Sequence, residues 1–437
     1  MTTPLLDTRT LDRETARALP PGPRLPMMVQ TVMFARHRAW YLPAVRRRYG
    51  DVATIRIVPR GRVCVVLSDP VHIRELFAQP ITTAHTGEGN VVLRPIMGDN
   101  SLLLLDEDAH LRMRKQLMPA FHGHALRGYR ELIARLAVAE VESWPANQPF
   151  RVHDRMRALT LEIILQVVFG MTDGDRLDRL RPLLDRVVSV DPVIMLGGFY
   201  PRLLKYPPWR HYVGAQREAD ATLYDEIAAR RVSPDLAGRT DVLSRLLQNG
   251  EWSDVELRDQ LVTLLLAGHE TTATSLAWAF HDLARMPDVM RKAQDGDDEY
   301  LEAVTKESLR RHPVIYQVSR RLAEATSVGG YELPRGTTVM AGIGLVHSDP
   351  AHYPEPDEFR PERFLGDNPA APWIPFGGGV RRCLGAGFSL LESTEILRAT
   401  LTRHDLRAPN PTPEPPKPRN VTLTPAHGCT LTASRRS

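Results

Sequence analysis

The sequence is short of cysteine, of long apolar runs and of net charge, and each shortage removes a class of protein. Only Cys64, Cys383 and Cys429 occur among 437 residues. An odd, sparse set builds no disulfide framework and fits a reducing compartment, so a soluble cytoplasmic protein is expected. No Cys/His cluster has zinc-site spacing. The early apolar run from Met27 to Ala35 contains Gln30 and Thr31 and stops at Arg36, far short of the ~20 apolar residues of a membrane span. The N-terminus lacks the basic-then-apolar pattern of a signal peptide. A formal net charge of +4 calls for no nucleic-acid partner, and Arg46-Arg47-Arg48 reads as a solvated helix face. Repeats and glycine-serine linkers are missing too, so one domain over residues 1–437 is expected, with about 1–20 as a loose end. Prolines gather only at Pro20–Pro23 and Pro409–Pro418, as extended surface segments. Gly377-Gly378-Gly379 does not follow the G-x-G-x-x-G spacing of a dinucleotide site.

What remains is a chain that is 43% hydrophobic and 25% charged, enough to bury a large core. It reads as mainly α with small β-sheets. The β-branched segments VATIRIV and RVCVVLS flank Pro59-Arg60-Gly61, which predicts a hairpin between Asp51 and Ser68. A second strand pair is expected within Gly329–Gly342. Ser253 and Glu256 form a capping-box pattern at the head of a helix that should stop before Pro287. Apolar on nearly all sides through its middle, that helix must cross the centre of the protein. A second helix ends in EAVTKESLRRH before Pro313, and a third starts just after Cys383.

The segment from Trp373 to Glu392, WIPFGGGVRRCLGAGFSLLE, concentrates unusual features. A cysteine between apolar neighbours is ordinarily structural. Here three glycines let a backbone approach a flat cofactor and aim amides at a sulfur. The following helix presents its positive end to Cys383, which favours a thiolate. Arg381 supplies a cation for a cofactor carboxylate.

This stretch resembles the haem-binding loop of the cytochrome P450 family, F-x-x-G-x-R-x-C-x-G, with Phe376, Gly379, Arg381, Cys383 and Gly385 at its fixed places. The resemblance implies haem b, lying between the long central helix and the helix after the cysteine loop. It implies Cys383 as axial iron ligand, Arg381 on a propionate, and Phe376 shielding the sulfur. Thiolate ligation pushes electron density onto iron and favours O–O cleavage. Other motifs agree in order. Glu307 and Arg310 share a helix face and, with Arg363 of Pro361-Glu362-Arg363-Phe364, are similar to the family's buried Glu-Arg-Arg triad, a structural lock. Ala267-Gly268-His269-Glu270-Thr271-Thr272 resembles the oxygen-binding signature, making Glu270 the acid and Thr271 the alcohol that deliver protons in a dry pocket. Its threonine hydroxyls can return to a backbone carbonyl and bend the helix. His269 and Thr272 are expected in packing or surface roles. His110 and Arg114, one helical turn apart, look like the propionate-binding pair, and Arg320 aligns with a further propionate contact.

By the same resemblance the substrate pocket is expected from Leu264, Ala267, Gly268 and Thr271, then Val314 and Ile315, the loop from about Thr83 to Leu102, and Val421-Thr422. The lining is mainly apolar, so a fatty acid, terpenoid, steroid or aromatic is the expected substrate, with O2 as co-substrate. No reductase segment follows the cysteine loop, so electrons are expected from a ferredoxin or flavodoxin with its reductase, docking near Arg382. A peroxide-driven peroxygenase and a non-catalytic haem sensor are the competing readings. An intact Glu270-Thr271 pair weighs against both.

Overall fold

The computed structural model describes residues 19–436 apart from 59–61, 171–179, 184–186, 188–199, 367–370 and 420. Helix α1 (Met27–Tyr49) leads into strands β1 (Val52–Ile57) and β2 (Arg62–Leu67), then α2 (Pro70–Ala78) and the short β3 (Ala84–His85). Helices α3 (Glu107–Leu117), α4 (His124–Glu142) and α5 (Val152–Phe169) precede the long α6 (Asp254–Leu283) and α7 (Asp298–Arg311). Strands β4 (Val318–Leu322), β5 (Thr326–Val328), β6 (Tyr331–Leu333) and β7 (Thr338–Ala341) follow. After the cysteine loop come α8 (Ala386–Leu401) and the pair β8 (Pro416–Arg419) and β9 (Thr422–Pro425).

The hairpin read from the β-branched segments forms, with Val52 opposite Leu67 and Ile57 opposite Arg62; its Pro59-Arg60-Gly61 turn lies outside the described residues. The second strand pair is corrected. Within Gly329–Gly342, β6 pairs back onto β5, while β7 enters a five-stranded sheet of order β1-β2-β7-β4-β3. All four residues of β7 are buried, so its backbone groups need partners on both edges. It finds them in β2, parallel, and β4, antiparallel.

Helix α6 is the axis of the molecule. Ser253 Oγ accepts the Glu256 amide at 3.2 Å while the Glu256 carboxylate accepts the Ser253 amide at 3.0 Å, so the capping box is complete. Its 30 residues span about 45 Å. Leu257, Leu261, Leu265, Leu276 and Phe280 are buried in the main core together with Ile163, Ile164, Phe388 and Leu397. Each contributes about 1.5–3 kcal/mol by leaving water. A Cβ at Gly268 would lie 2.9 Å from Ile164 Cδ1, so glycine there permits the close crossing of α5 over α6. No helix among the described residues is long and apolar enough to cross a membrane.

Candidate active site

The cysteine loop is fastened at both ends before any ligand is considered. Ile374 donates its amide to His347 Nε2 at 3.0 Å, and Trp373 Nε1 donates to the Lys306 carbonyl at 3.2 Å. Trp373 also meets Phe376 edge-on at 5.7 Å. The Cys383 amide closes the loop onto the Phe376 carbonyl at 2.9 Å. Gly377 and Gly379 adopt φ of 67° and 63°, backbone conformations that favour glycine. The room they leave is used differently from the sequence expectation. A Cβ at Gly379 would sit 2.2 Å from the Phe77 carbonyl oxygen, and one at Gly378 2.3 Å from the Phe77 ring. These two glycines seat α2 against the loop. Gly385, the residue before α8, faces open space instead.

Cys383 stands just before α8, with its residue surface open although neighbouring loop atoms crowd the sulfur. Burial pushes the Cys383 thiol up, and the Gly385 amide, Arg114 and Arg382 pull it down without offsetting that. The helix end alone therefore does not make the thiolate. A coordinated metal ion deprotonates such a thiol outright.

Next to the loop lies a concentration of buried positive groups. Arg320 is only 6% exposed and forms no ion pair among the described residues; its guanidinium reaches the Ser319 carbonyl and lies 5.6 Å over the Phe77 ring. Burial, then the neighbouring Arg381, lowers it to about 10. His110, also buried, is lowered to about 3 by burial and by Arg381 and Arg114. Arg381 itself donates to the carbonyls of Leu102 and Leu105 and pairs with Asp106. His110, Arg320, Arg381, Gly378 and Phe77 line one concave site. Arg114 stands between His110 and Cys383, raised by the cysteine and lowered by burial and Arg382. Asp106 pairs with Arg381 and Glu107 also lines the site, so the cations Arg114, Arg320 and Arg381 still outnumber the carboxylates. Buried cations in excess require an anion, and the two carboxylates of a haem would supply it. The donor set of soft sulfur, guanidinium and imidazole fits that group.

On α6, Ala267 is exposed and Gly268 and Thr271 are partly so, although the turns on either side are buried. Thr271 donates to the Ala267 carbonyl at 2.6 Å, and the helix runs unbroken through the pair. Glu270 points elsewhere. It is 7% exposed and pairs with Arg157 at 2.9 Å, with Arg419 at 3.3 Å, and approaches His153 Nε2 at 3.7 Å. Of the packing and surface roles expected, His269 takes packing: it is buried, with Nδ1 3.2 Å from the Thr160 hydroxyl. Thr272 meets Ser389 of α8 at 3.3 Å.

Glu307, Arg310 and Arg363 come together. Arg310 grips Glu307 through two hydrogen bonds of 2.7 and 2.9 Å, and Arg363 reaches the same carboxylate at 3.3 Å. Arg310 also donates to the His347 and Glu358 carbonyls, so the triad and the cysteine loop share His347. Among the expected pocket residues, Ile315 bridges Thr422 and the Val314 carbonyl accepts the Leu423 amide at 2.9 Å. Leu264 is buried and Val421 is exposed. Gly268 is partly exposed, and a Cβ there would meet Ile164.

Sequence reasoning missed Asp106, which accepts the amides of Thr86, Gly87 and Glu88 and so ties the Thr83–Leu102 loop to Arg381. Its signal was local: Asp106 stands at the N-cap of α3 yet makes no capping bond. Arg157 and Arg419 were missed as well, and nothing in their sequence spacing marks them as partners of Glu270.

A family model described as Cytochrome P450 matches residues 19–432. Cytochrome P450 135A1 of Mycobacterium tuberculosis is 47% identical over 425 residues, covering 94% of each chain. Cytochrome P450 135B1 of Mycobacterium bovis is 43% identical, covering 94% of this chain and 91% of that one. Among solved structures, a retinoic-acid-bound cyanobacterial CYP120A1 superposes with a TM-score of 0.82 at 23% identity, covering 96% of this chain and all of that one. With a cysteine loop, a cation cluster and a central helix arranged as haem binding requires, the chain belongs to the cytochrome P450 family and is a haem-thiolate monooxygenase.

Proposed function

We propose that this enzyme inserts one oxygen atom from O2 into a lipophilic small molecule, a fatty acid, terpenoid, steroid or aromatic, with electrons from a separate ferredoxin or flavodoxin and its reductase. The observation that carries the reading is the pairing on α6: Thr271 on the partly exposed stretch, Glu270 beside it in a buried ion-pair cluster. The bound haem supplies oxygen activation. Cys383 holds its iron, and Arg381, Arg320, Arg114 and His110 take its carboxylates. Before a carboxylate is bound, burial and the neighbouring Arg381 and Arg114 hold His110 low, at about 3. Glu307, Arg310 and Arg363 hold the loop in place.

Protons have to cross a region that excludes water. The Thr271 hydroxyl passes a proton at its Oγ1 when it gives up its bond to the Ala267 carbonyl. Glu270 takes part by exchanging Arg157 or Arg419 for solvent or Thr271. Apolar Leu264, Val314 and Ile315 support a lipophilic substrate, as does the retinoic acid named for the cyanobacterial neighbour.

Compounds that shift the Soret band in a lipophilic screen are the substrates for the test. Thr271→Ala and Glu270→Gln should each lower product formed from O2 and a reductase system by about 10²–10⁴-fold, while turnover driven by hydrogen peroxide is largely kept. Equal losses in the two assays would contradict the proton-delivery roles, and full activity with peroxide alone would make the protein a peroxygenase. For the partner, Arg382 is exposed beside Cys383. Arg382→Glu is expected to slow reduction by an acidic ferredoxin about tenfold at low salt, with the difference shrinking as salt screens it. Stopped-flow reduction rates check this; salt-independent rates equal to the parent's would remove that docking face.

A further inference from the structure

Where α6 ends against α7, a polar cluster lies outside the haem site. Asp282 is 1% exposed. Its Oδ1 accepts His281 Nδ1 at 2.9 Å and Arg311 at 2.9 Å, and its Oδ2 accepts His312 Nε2 at 3.0 Å. His281 Nε2 accepts the Glu414 amide at 3.0 Å, which fixes that imidazole as neutral with its proton on Nδ1. The ligand atoms of His281, Asp282 and His312 lie within 4.8 Å of one another. Arg311 already neutralises the carboxylate, however, and both imidazoles turn N–H groups toward it, so the arrangement is a hydrogen-bonded clamp and not a cation site.

The clamp reaches a wall of the expected substrate pocket. His312 stacks on Trp278 at 4.1 Å with the rings 5° from parallel. The Trp278 Nε1 proton is donated to the Leu423 carbonyl at 2.9 Å. Leu423 in turn donates its amide to the Val314 carbonyl at 2.9 Å, and Ile315 bridges Thr422. From the other side, the Glu414 carboxylate gathers the amides of His427, Cys429 and Thr430 at 2.7, 3.2 and 3.1 Å. Arg285 of the turn after α6 donates to the Asn410 and Thr412 carbonyls at 3.2 and 3.4 Å. The chain around β8 and β9 is thus referenced to the end of α6. Trp278 is itself 1% exposed.

We propose that Trp278 and His312 are positioning residues for substrate selection, holding the Val314-Ile315 and Thr422-Leu423 wall at a set distance from the haem without touching substrate. This rests on the proposed pocket reading, in which that wall faces the substrate.

The test uses the full-length haem-loaded protein and two probes, imidazole and 4-phenylimidazole, titrated by the Soret shift. Imidazole needs only the iron; the phenyl ring also needs the wall. Trp278→Phe keeps a ring for stacking and removes the donor to Leu423, and His312→Gln keeps a donor for Asp282 and removes the stack. Either should change the ratio of the two affinities by about tenfold, with imidazole alone changed less than about twofold and the reduced carbon-monoxide spectrum retained. Equal changes for both probes would mean a merely structural role and overturn the proposal, as would an unchanged ratio in both variants. Ile315→Ala separates the two levels. If it shifts the ratio and the Trp278 and His312 variants do not, positioning fails while the pocket reading stands. If it leaves the ratio unchanged, the pocket reading fails and the proposal with it.

Discussion

Cys383→Ser is expected to abolish the thiolate signature in the reduced carbon-monoxide difference spectrum and to bring O2-dependent turnover to background. The substitution is nearly isosteric and leaves the amide bond from Cys383 to the Phe376 carbonyl untouched, so the loop should keep its shape. What changes is acidity. Burial pushes the Cys383 thiol up against the pull of Gly385, Arg114 and Arg382, and a bound metal ion would favour its thiolate. An alcohol starts far higher and stays protonated or weakly bound. Haem should still be taken up, because Arg320, Arg381 and His110 do not depend on the sulfur. Haem content and the carbon-monoxide spectrum, measured together, separate loss of ligation from loss of cofactor. A serine variant with the parent's thiolate spectrum would refute the assignment. Cys64→Ser and Cys429→Ser serve as controls: both cysteines are fully buried away from the loop, and neither change should alter the spectrum.

The residues legible in the sequence were those whose chemistry is local. Ser253 and Glu256 lie within one turn, so the capping box and the start of α6 followed directly. Glu307 and Arg310 share a helix face for the same reason. Partners fixed only by the fold were not legible. Asp106 meets Arg381 across most of the chain, and Glu270 meets Arg419 across about a third of it. The pairing of β7 with β2 is equally remote, which is why Gly329–Gly342 looked like a self-contained strand pair. The glycines show a third kind of difficulty. Gly378 and Gly379 were read as room for a cofactor, yet Phe77 uses that space. A sequence shows that a Cβ is missing but not which neighbour its absence admits.

The second large effect concerns the triad. Glu307→Gln is expected to destabilise the protein by about 3–5 kcal/mol, a large share of a total of ~5–15 kcal/mol, and to leave it poor in haem. Glutamine keeps the shape and removes the charge, so Arg310, 1% exposed, loses one of its two acceptors on residue 307 and its only buried counter-charge there, keeping the amide oxygen, the His347 and Glu358 carbonyls and a Tyr353 ring 5.2 Å away. Loss of the grip on Arg310 frees the His347 carbonyl, and His347 Nε2 is what receives the Ile374 amide at the start of the cysteine loop. The loop should therefore loosen before the core does, and haem loss should appear at denaturant concentrations below those of global unfolding. Arg310→Met alone should be about as damaging, because it strands Glu307, which would retain Arg363 and the Arg360 amide. Combining the two removes both buried charges. The double variant should unfold at a higher denaturant concentration than either single one, since a buried pair contributes little net stability while half of it costs much. Strictly additive losses would mean that packing, and not charge, is what the triad provides; parent-like haem content in Glu307→Gln would remove its role in holding the cysteine loop.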